Sequence, residues 1–338
     1  MKHTVCRSLQ RLIALLLACA LLLVSTSVSE ANTADERNTI YKQRMEYFLQ
    51  MEQFTHIPWY YFAAIDQYER AIQATRKDKK KKEGVLAIQV PDYLWAGMLN
   101  PDHQDTNPSS IRFFGGIGKD GDGDGIADPN SDQDLIFTFA TYLSSYGFSE
   151  EDILHGLWEY YGSDYAVRHI HAFAEIYKKF QTLDLLHFTF PIPKGFHYTY
   201  HDTWGHSRGW GGRRMHEGTD IFAGYGTPVL STCYGYVEVI GWNPYGGWRI
   251  GIRDLNNVYH YYAHLSGFNK QIKAGDAVKP GEIIGYVGSS GYGKPGTQGK
   301  FPPHLHYGMY KHNGRNEWAF DPYPYLKAWE RAGRKQQR

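Results

Sequence analysis

Trp248–Ala263 reads WRIGIRDLNNVYHYYA. Two runs of β-branched and aromatic residues flank a polar break at Asp254–Asn257. The same texture recurs at Val229–Leu230, Tyr236–Ile240, Glu282–Val287 and His304–Tyr310, each run cut by glycine. Short runs at roughly eight-to-twelve-residue spacing argue a compact antiparallel β unit. Pro191, Pro193 and Gly195 mark its beginning, so the β unit is placed at residues 188–338.

Upstream the pattern is helical. Met45, Phe48, Leu49, Met51 and Phe54 recur at helical spacing, and Ile57-Pro58 breaks the run. Trp59, Phe62, Ala63, Ile65 and Ala71 then line the next helix, which Pro58 is well placed to start. Gly115–Asp134 is a Gly- and Asp-rich loop, and Leu135–Tyr146, Glu151–Tyr161 and Tyr165–Leu186 read as helix again. The fold class is therefore α+β with two domains, a helical one at 32–187 and the β unit after it. A chain of 338 residues with 42% hydrophobic, 21% charged and 16% aromatic residues supports ordinary cores. It excludes a disordered chain.

Residues 1–31 read as a signal peptide. Lys2, Arg7 and Arg11 precede an apolar run from Leu12 to Val24, and Ser29-Glu30-Ala31 offers a cleavage site. The alternative is an uncleaved membrane anchor, if Ser25–Val28 extend the helix. A lipoprotein reading at Cys19 is disfavoured because Leu21–Val24 continue the apolar run beyond it. Cleavage leaves only Cys233, so no intrachain disulfide is expected.

Net charge is +1, but it is unevenly spread. Residues 32–185 hold 15 basic and 24 acidic side chains, net −9, and residues 186–338 hold 18 and 10, net +8. A basic exported unit points to an anionic partner: nucleic acid, membrane or an acidic wall polymer. The run Lys77–Glu83 (KDKKKKE) reads as a solvated linker rather than a nucleic-acid patch.

Fifteen histidines follow the signal, and His56, His103, His155, His169 and His171 have no partner motif. Three segments stand apart. In His216-Glu217-Gly218-Thr219-Asp220 the glycine and the Phe222–Pro228 turn exclude a helical zinc motif. In extended chain His216 and Asp220 share a face and offer one nitrogen and one oxygen ligand. In His304-Leu305-His306 a strand puts both rings on one face, with Cα atoms about 6–7 Å apart. They can share a metal, or one can ligate while the other works on water. The third segment is Tyr261–Leu265, which carries His264.

Gly212–Asp220 (GRRMHEGTD), Tyr262–Leu265 (YAHL), Gly275–Gly288 (GDAVKPGEIIGYVG) and Pro303–Tyr307 (PHLHY) resemble the M23 metallopeptidases, the lysostaphin-type peptidoglycan endopeptidases. The resemblance covers about residues 200–326, with Tyr307 where the family often has Phe. Trp204-Gly205, HEGTDIF at 216–222 and Gly246–Arg249 suggest the branch of sporulation L-Ala–D-Glu endopeptidases of bacilli. The resemblance implies a Zn²⁺ held by His216, Asp220 and His306. It implies His304 as general base and His264 as oxyanion donor, the two roles being exchangeable. His260, four residues before His264, shares its face if the strand is regular and is the rival. The implied substrate is peptidoglycan rather than nucleic acid, cut outside the cell or in a spore compartment, without stable membrane insertion once the signal is removed. A non-catalytic wall-binding or regulatory protein of the same fold is the alternative.

In the first half, Ile57–Arg70 (IPWYYFAAIDQYER) and Gly118–Asp134 resemble parts of lysozyme-like lytic transglycosylases, which places a catalytic carboxylate at Glu69. Arg70 follows it where those enzymes have Ser. It is expected to pair with Glu69 and lower its pKa, the reverse of what a general acid needs. This half then reads as a glycan-holding helper, with a bifunctional hydrolase as the alternative. Asp120, Asp122, Asp124 and Gly125 fit a calcium loop, but Ser131 stands where its bidentate Glu belongs, which favours a structural turn.

Overall fold

In the computed structural model the described residues are 35–78, 84–209 and 213–335. The expected signal peptide and residues 79–83 of the lysine run lie outside them. The described residues fall into two units that divide between Glu46 and Tyr47. Residues 35–55 form helix α1.

Pro58, with φ −58°, precedes α2 (Trp59–Gln73), whose first turn needs no N–H from it. Two short helices missed by the sequence reading follow, α3 (Asp92–Ala96) and α4 (Pro108–Phe113). Then come α5 (Asp132–Ser144), α6 (Glu150–Tyr161) and α7 (Asp164–Phe180). Ser131, Ser149 and Ser163 cap the last three; Ser149 and Asp152 form a reciprocal capping box. Each cap contributes about 1 kcal/mol. The sequence reading carried α7 on to Leu186, but Gln181 turns left-handed (φ 55°) and ends it. α2 packs on α7, with the Trp59 and Tyr177 rings 6.3 Å apart, and Phe62, Ile65 and Ile72 of α2 are buried.

The β part is one antiparallel sheet. Its central strands are β4 (Thr219–Ala223), β6 (Gly235–Asn243), β7 (Gly247–Asp254), β8 (Val258–Phe268) and β11 (His304–His312). With β1 (Tyr198–Tyr200) and β9 (Ala277–Val278) at the ends, the order is β1-β4-β11-β8-β7-β6-β9, while β10 (Ile283–Val287) pairs with β8 and with β5 (Pro228–Leu230), and β12 (Glu317–Phe320) pairs with β11. A two-stranded ribbon, β2 (Ser207–Arg208) with β3 (Arg214–Met215), is separate.

Alternation gives the sheet two unlike faces. Ile221, Ile250, Ile252, Tyr262, Leu305 and Tyr307 point to one face and are fully buried. A C-terminal helix absent from the sequence reading, α8 (Tyr323–Lys335), covers that core, with Trp329 stacked on Phe188 at 5.3 Å. The other face carries the site. α7 packs on β6, and Gln67 of α2 donates to the Leu255 carbonyl at 2.9 Å. The helical region thus precedes the sheet in sequence and contacts it, with residues 187 and 188 falling between α7 and β1.

Candidate metal centre

Strand pairing builds the centre. His306 on β11 lies directly opposite Asp220 on β4 and, on its other side, opposite Ala263 on β8. His216 comes from the segment between β3 and β4. His216 Nε2, Asp220 Oδ1 and His306 Nδ1 form a triangle with edges of 2.9, 3.0 and 3.0 Å. His304, two residues before His306 and on the same face, brings Nε2 to 3.7 Å from Asp220 Oδ1. All five residues singled out in the sequence therefore meet at one place.

Backbone carbonyls orient the rings. His216 Nδ1 donates to the Thr203 carbonyl at 2.7 Å, His264 Nδ1 to Ser290 at 2.7 Å and His304 Nδ1 to Pro302 at 2.8 Å. A carbonyl only accepts, so each of these rings is protonated at Nδ1 and turns Nε2 to the cleft. In neutral His216 that Nε2 lone pair faces a carboxylate oxygen at 3.0 Å, acceptor against acceptor. A cation between them satisfies both, and the arrangement is suited to a metal ion.

Electrostatics agree with that use. Burial alone would raise the Asp220 carboxyl, but hydrogen bonds from the protonated forms of His216 and His306 outweigh it and hold the pKa far below the ordinary range. Burial depresses the pKa of His264, His304 and His306, so these rings are neutral at pH 7. A ligand or a base must be neutral in this way.

His264 reaches the cleft through a defect in β8. Trp248 pairs with Leu265 and Ile250 with Tyr262, so Arg249 alone opposes both Ala263 and His264. The extra residue is a β-bulge, and His264 sits in it with φ +62°. A left-handed non-glycine residue costs about 1–2 kcal/mol, and the backbone bond from His264 N to the Gly246 carbonyl (2.7 Å) helps hold it. The same-face expectation for His260 is thereby corrected. His260 points to the core, fully buried, and bonds to Asp254 (3.1 Å) and to the Tyr307 hydroxyl (2.6 Å). The bulge turns His264 to the cleft, 4.8 Å from His304 between ring centroids, while His260 before it stays on the core face.

The cleft has a volume of about 500 Å³, with Tyr245, Tyr261, Tyr292 and His264 among its walls. Tyr245 lies in the turn between β6 and β7, and Tyr292 on the segment that leads into β11. Two contributors were missed. Thr203 orients His216 through its carbonyl and receives the Asp220 N–H on Oγ1 at 3.2 Å. Arg208 ion-pairs with Asp220 from β2. Neither role had a sequence signal, since a carbonyl is common to all residues and Arg208 lies twelve positions from its partner.

In the helical region Arg70 does not pair with Glu69 as expected. Its Nε bonds Asp66 Oδ2 at 2.9 Å, one helical turn back, and its guanidinium also meets the Val85 carbonyl. Glu69 itself is 3% exposed. In the acidic loop, Asp120, Asp122 and Asp134 approach one another, and their oxygens accept backbone N–H groups of Gly123, Asp124 and Gly121 respectively.

Comparison with known proteins bears on this site. Peptidase family M23 matches residues 214–322. The L-Ala–D-Glu endopeptidase of Bacillus subtilis (strain 168) is 59% identical over 277 residues, which are 82% of this chain and 85% of that protein. Lysostaphin of Staphylococcus simulans is 40% identical over 116 residues, 34% of this chain and 22% of lysostaphin. The solved catalytic domain of lysostaphin aligns with a TM-score of 0.31 at 34% identity, covering 39% of this chain and 92% of that domain.

Proposed function

The chain belongs to peptidase family M23, and from that premise we propose that it is an exported, zinc-dependent endopeptidase. Its substrate is the peptidoglycan stem peptide, and it hydrolyses the L-Ala–D-Glu bond in remodelling of cell wall or spore cortex. Residues 188–338 are the peptidase domain; residues 32–187 form a lysozyme-like domain that holds glycan. The observation that carries the reading is the triangle of two imidazole nitrogens and one carboxylate oxygen beside two further neutral histidines. The identity and coverage shared with the Bacillus subtilis endopeptidase support the choice of bond.

His216, Asp220 and His306 are the ligands, a donor set that leaves a fourth position open, as a catalytic zinc requires. Bound there, zinc supplies Lewis acidity toward water and toward a carbonyl oxygen. The chain's own groups do the rest. His304, nearest the ligand cluster, takes the proton of the attacking water on its free Nε2. His264 offers Nε2 from the bulge; a proton gained from solvent as negative charge develops makes it a donor to the oxyanion, and His304 delivers the water's proton to the leaving amine nitrogen as the C–N bond breaks. The Ser290 and Pro302 carbonyls hold both rings in register, so neither must reorganise during the reaction.

The deciding experiment is digestion of purified peptidoglycan followed by mass spectrometry of the fragments, with zinc measured by emission spectroscopy. New L-Ala carboxyl ends and D-Glu amino ends, with one zinc per chain, are expected. Cleavage at another peptide bond, or of glycan only, would overturn the reading.

A further inference from the structure

Three arginines line the cleft, and they differ in what they touch. Arg208 is committed to Asp220. Arg214, on β3, lies over the Tyr245 ring, 5.1 Å from its centroid. Arg249, on β7, is the residue opposite the bulge that presents His264. The Nε atoms of Arg214 and Arg249 are buried without a hydrogen-bond partner. Neither guanidinium has a carboxylate partner among the described residues.

Arg253 shows what β7 does with a structural arginine. Four residues along the same strand, it is held by Glu238 at 2.9 Å and Glu317 at 3.1 Å. Of the cleft's other carboxylates, Glu317 is engaged with Arg253, and Glu217 lies near Tyr310, whose hydroxyl is pushed up by burial and by this carboxylate together. Burial raises the Tyr259 hydroxyl to about 12, and the Arg249 charge acts against it, so the guanidinium field reaches the cleft wall. Buried donors of this kind are stabilised when a ligand brings the acceptor. Two unneutralised guanidinium groups in one cleft call for an anion, and a carboxylate matches their forked geometry.

We propose that Arg249 and Arg214 form a carboxylate subsite beside the scissile bond, occupied by the free carboxyl group of the glutamyl residue on its amine side. This rests on the proposed function. A glutamyl residue whose nitrogen is in the scissile amide and whose chain continues through one carboxyl keeps the other ionised, a few bonds from the reacting carbon. Adjacent strands lie about 4.8 Å apart, so Arg249 stands one strand from His264, within a residue's reach of the scissile amide. The subsite selects for a charged residue after the cut and against its amidated form.

The test uses the full chain and two synthetic stem peptides, one with this carboxyl free and one with it as carboxamide. Wild type is expected to favour the acid by about 10- to 100-fold in kcat/KM, the range of a charge-assisted hydrogen bond. Arg249→Gln should bring the ratio close to one, Arg249→Lys should retain part of it, and Arg214→Gln should lower it. Zinc content equal to wild type shows that the variants keep the metal centre. Equal rates for acid and amide in wild type, a comparison that needs no variant, overturn the subsite and leave the bond assignment standing. An unchanged ratio in both glutamine variants does the same. Cutting elsewhere than at the Ala–Glu bond overturns the proposed function and the subsite with it.

Discussion

Gly218 lies between two of the ligands and tests how tightly the centre is set. Its backbone is not in the left-handed region, so an alanine there meets only steric resistance. An added Cβ falls 2.5 Å from His306 Cε1, 2.8 Å from His306 Nε2 and 2.7 Å from the Tyr307 carbonyl oxygen. Carbon atoms rest at about 3.5 Å, so the imidazole must retreat by about 1 Å or β4 must part from β11. Either change opens a triangle whose edges are 3.0 Å or less. Overpacking of this kind destabilises by about 1–3 kcal/mol, and a displacement of about 1 Å at reacting groups costs about 10²-fold in rate. Gly218→Ala is therefore expected to fold, to lose zinc on dialysis and to lose about two orders of magnitude in turnover. Emission spectroscopy and a muropeptide digest measure both. Gly224→Ala is the control, since its Cβ meets only Thr227 Oγ1 at 3.6 Å. One zinc per chain and wild-type turnover in Gly218→Ala would refute the view that the bare backbone at 218 sets the place of His306.

Removing a ligand, as in His216→Ala, Asp220→Ala or His306→Ala, should abolish both zinc binding and activity; a tightly held equivalent of zinc in any of them contradicts the ligand set. His304→Ala and His264→Ala should keep zinc and lose about 10²–10⁴ in rate, and loss of zinc from His304→Ala with retention in His306→Ala would reverse the assignment within β11. Burial of His169 at the α7–β6 contact pushes its pKa down to about 2. The unfolded chain takes up this proton from about pH 6.5 downward and the folded chain does not, so the stability is complete above pH 6.5 and is lost as pH falls. At about 1.4 kcal/mol per pH unit, roughly 2 kcal/mol disappears between pH 6.5 and 5; urea unfolding at both pH values should show a smaller loss in His169→Leu, and equal losses would refute it. Glu69→Gln should leave peptide cleavage and glycan chain length unchanged, because a carboxylate 3% exposed cannot reach a glycosidic oxygen; anhydro-sugar ends that vanish in this variant would show an active glycosidase instead.

Much of the site was legible because it follows local periodicity. The period of two in a strand puts His304 and His306 on one face whatever the strand pairs with, and β11 does so. The same rule puts His216 and Asp220 on one face, but four extended residues span about 13 Å, and it is the bend at Gly218 that brings the two together. The start of α2 was legible from Pro58, whose fixed φ suits the first turn, whereas Ser149 and Ser163, which cap α6 and α7, were not read as caps. The error at Arg70 was avoidable on the same ground. Neighbours in sequence do not face each other on a helix, whereas residues four apart do, and Asp66 stands four before Arg70.

The sequence by itself determined the residue types of the centre, the faces of β4 and β11, the antiparallel β unit and the helices ahead of it. All of these depend on spacings of a few residues. Tertiary structure alone decided three things: that His264 rather than His260 enters the cleft, that Thr203 and Arg208 serve Asp220 and His216, and that Arg249 has no carboxylate partner among the described residues while Arg253 has two. The physical reason is the same in each case. A bulge exists only relative to the strand it is paired with, and one residue of register between β7 and β8 reverses the face of everything that follows it. A partner twelve or more positions away is set by which strands pair and where the chain turns, and those are outcomes of packing the whole sheet.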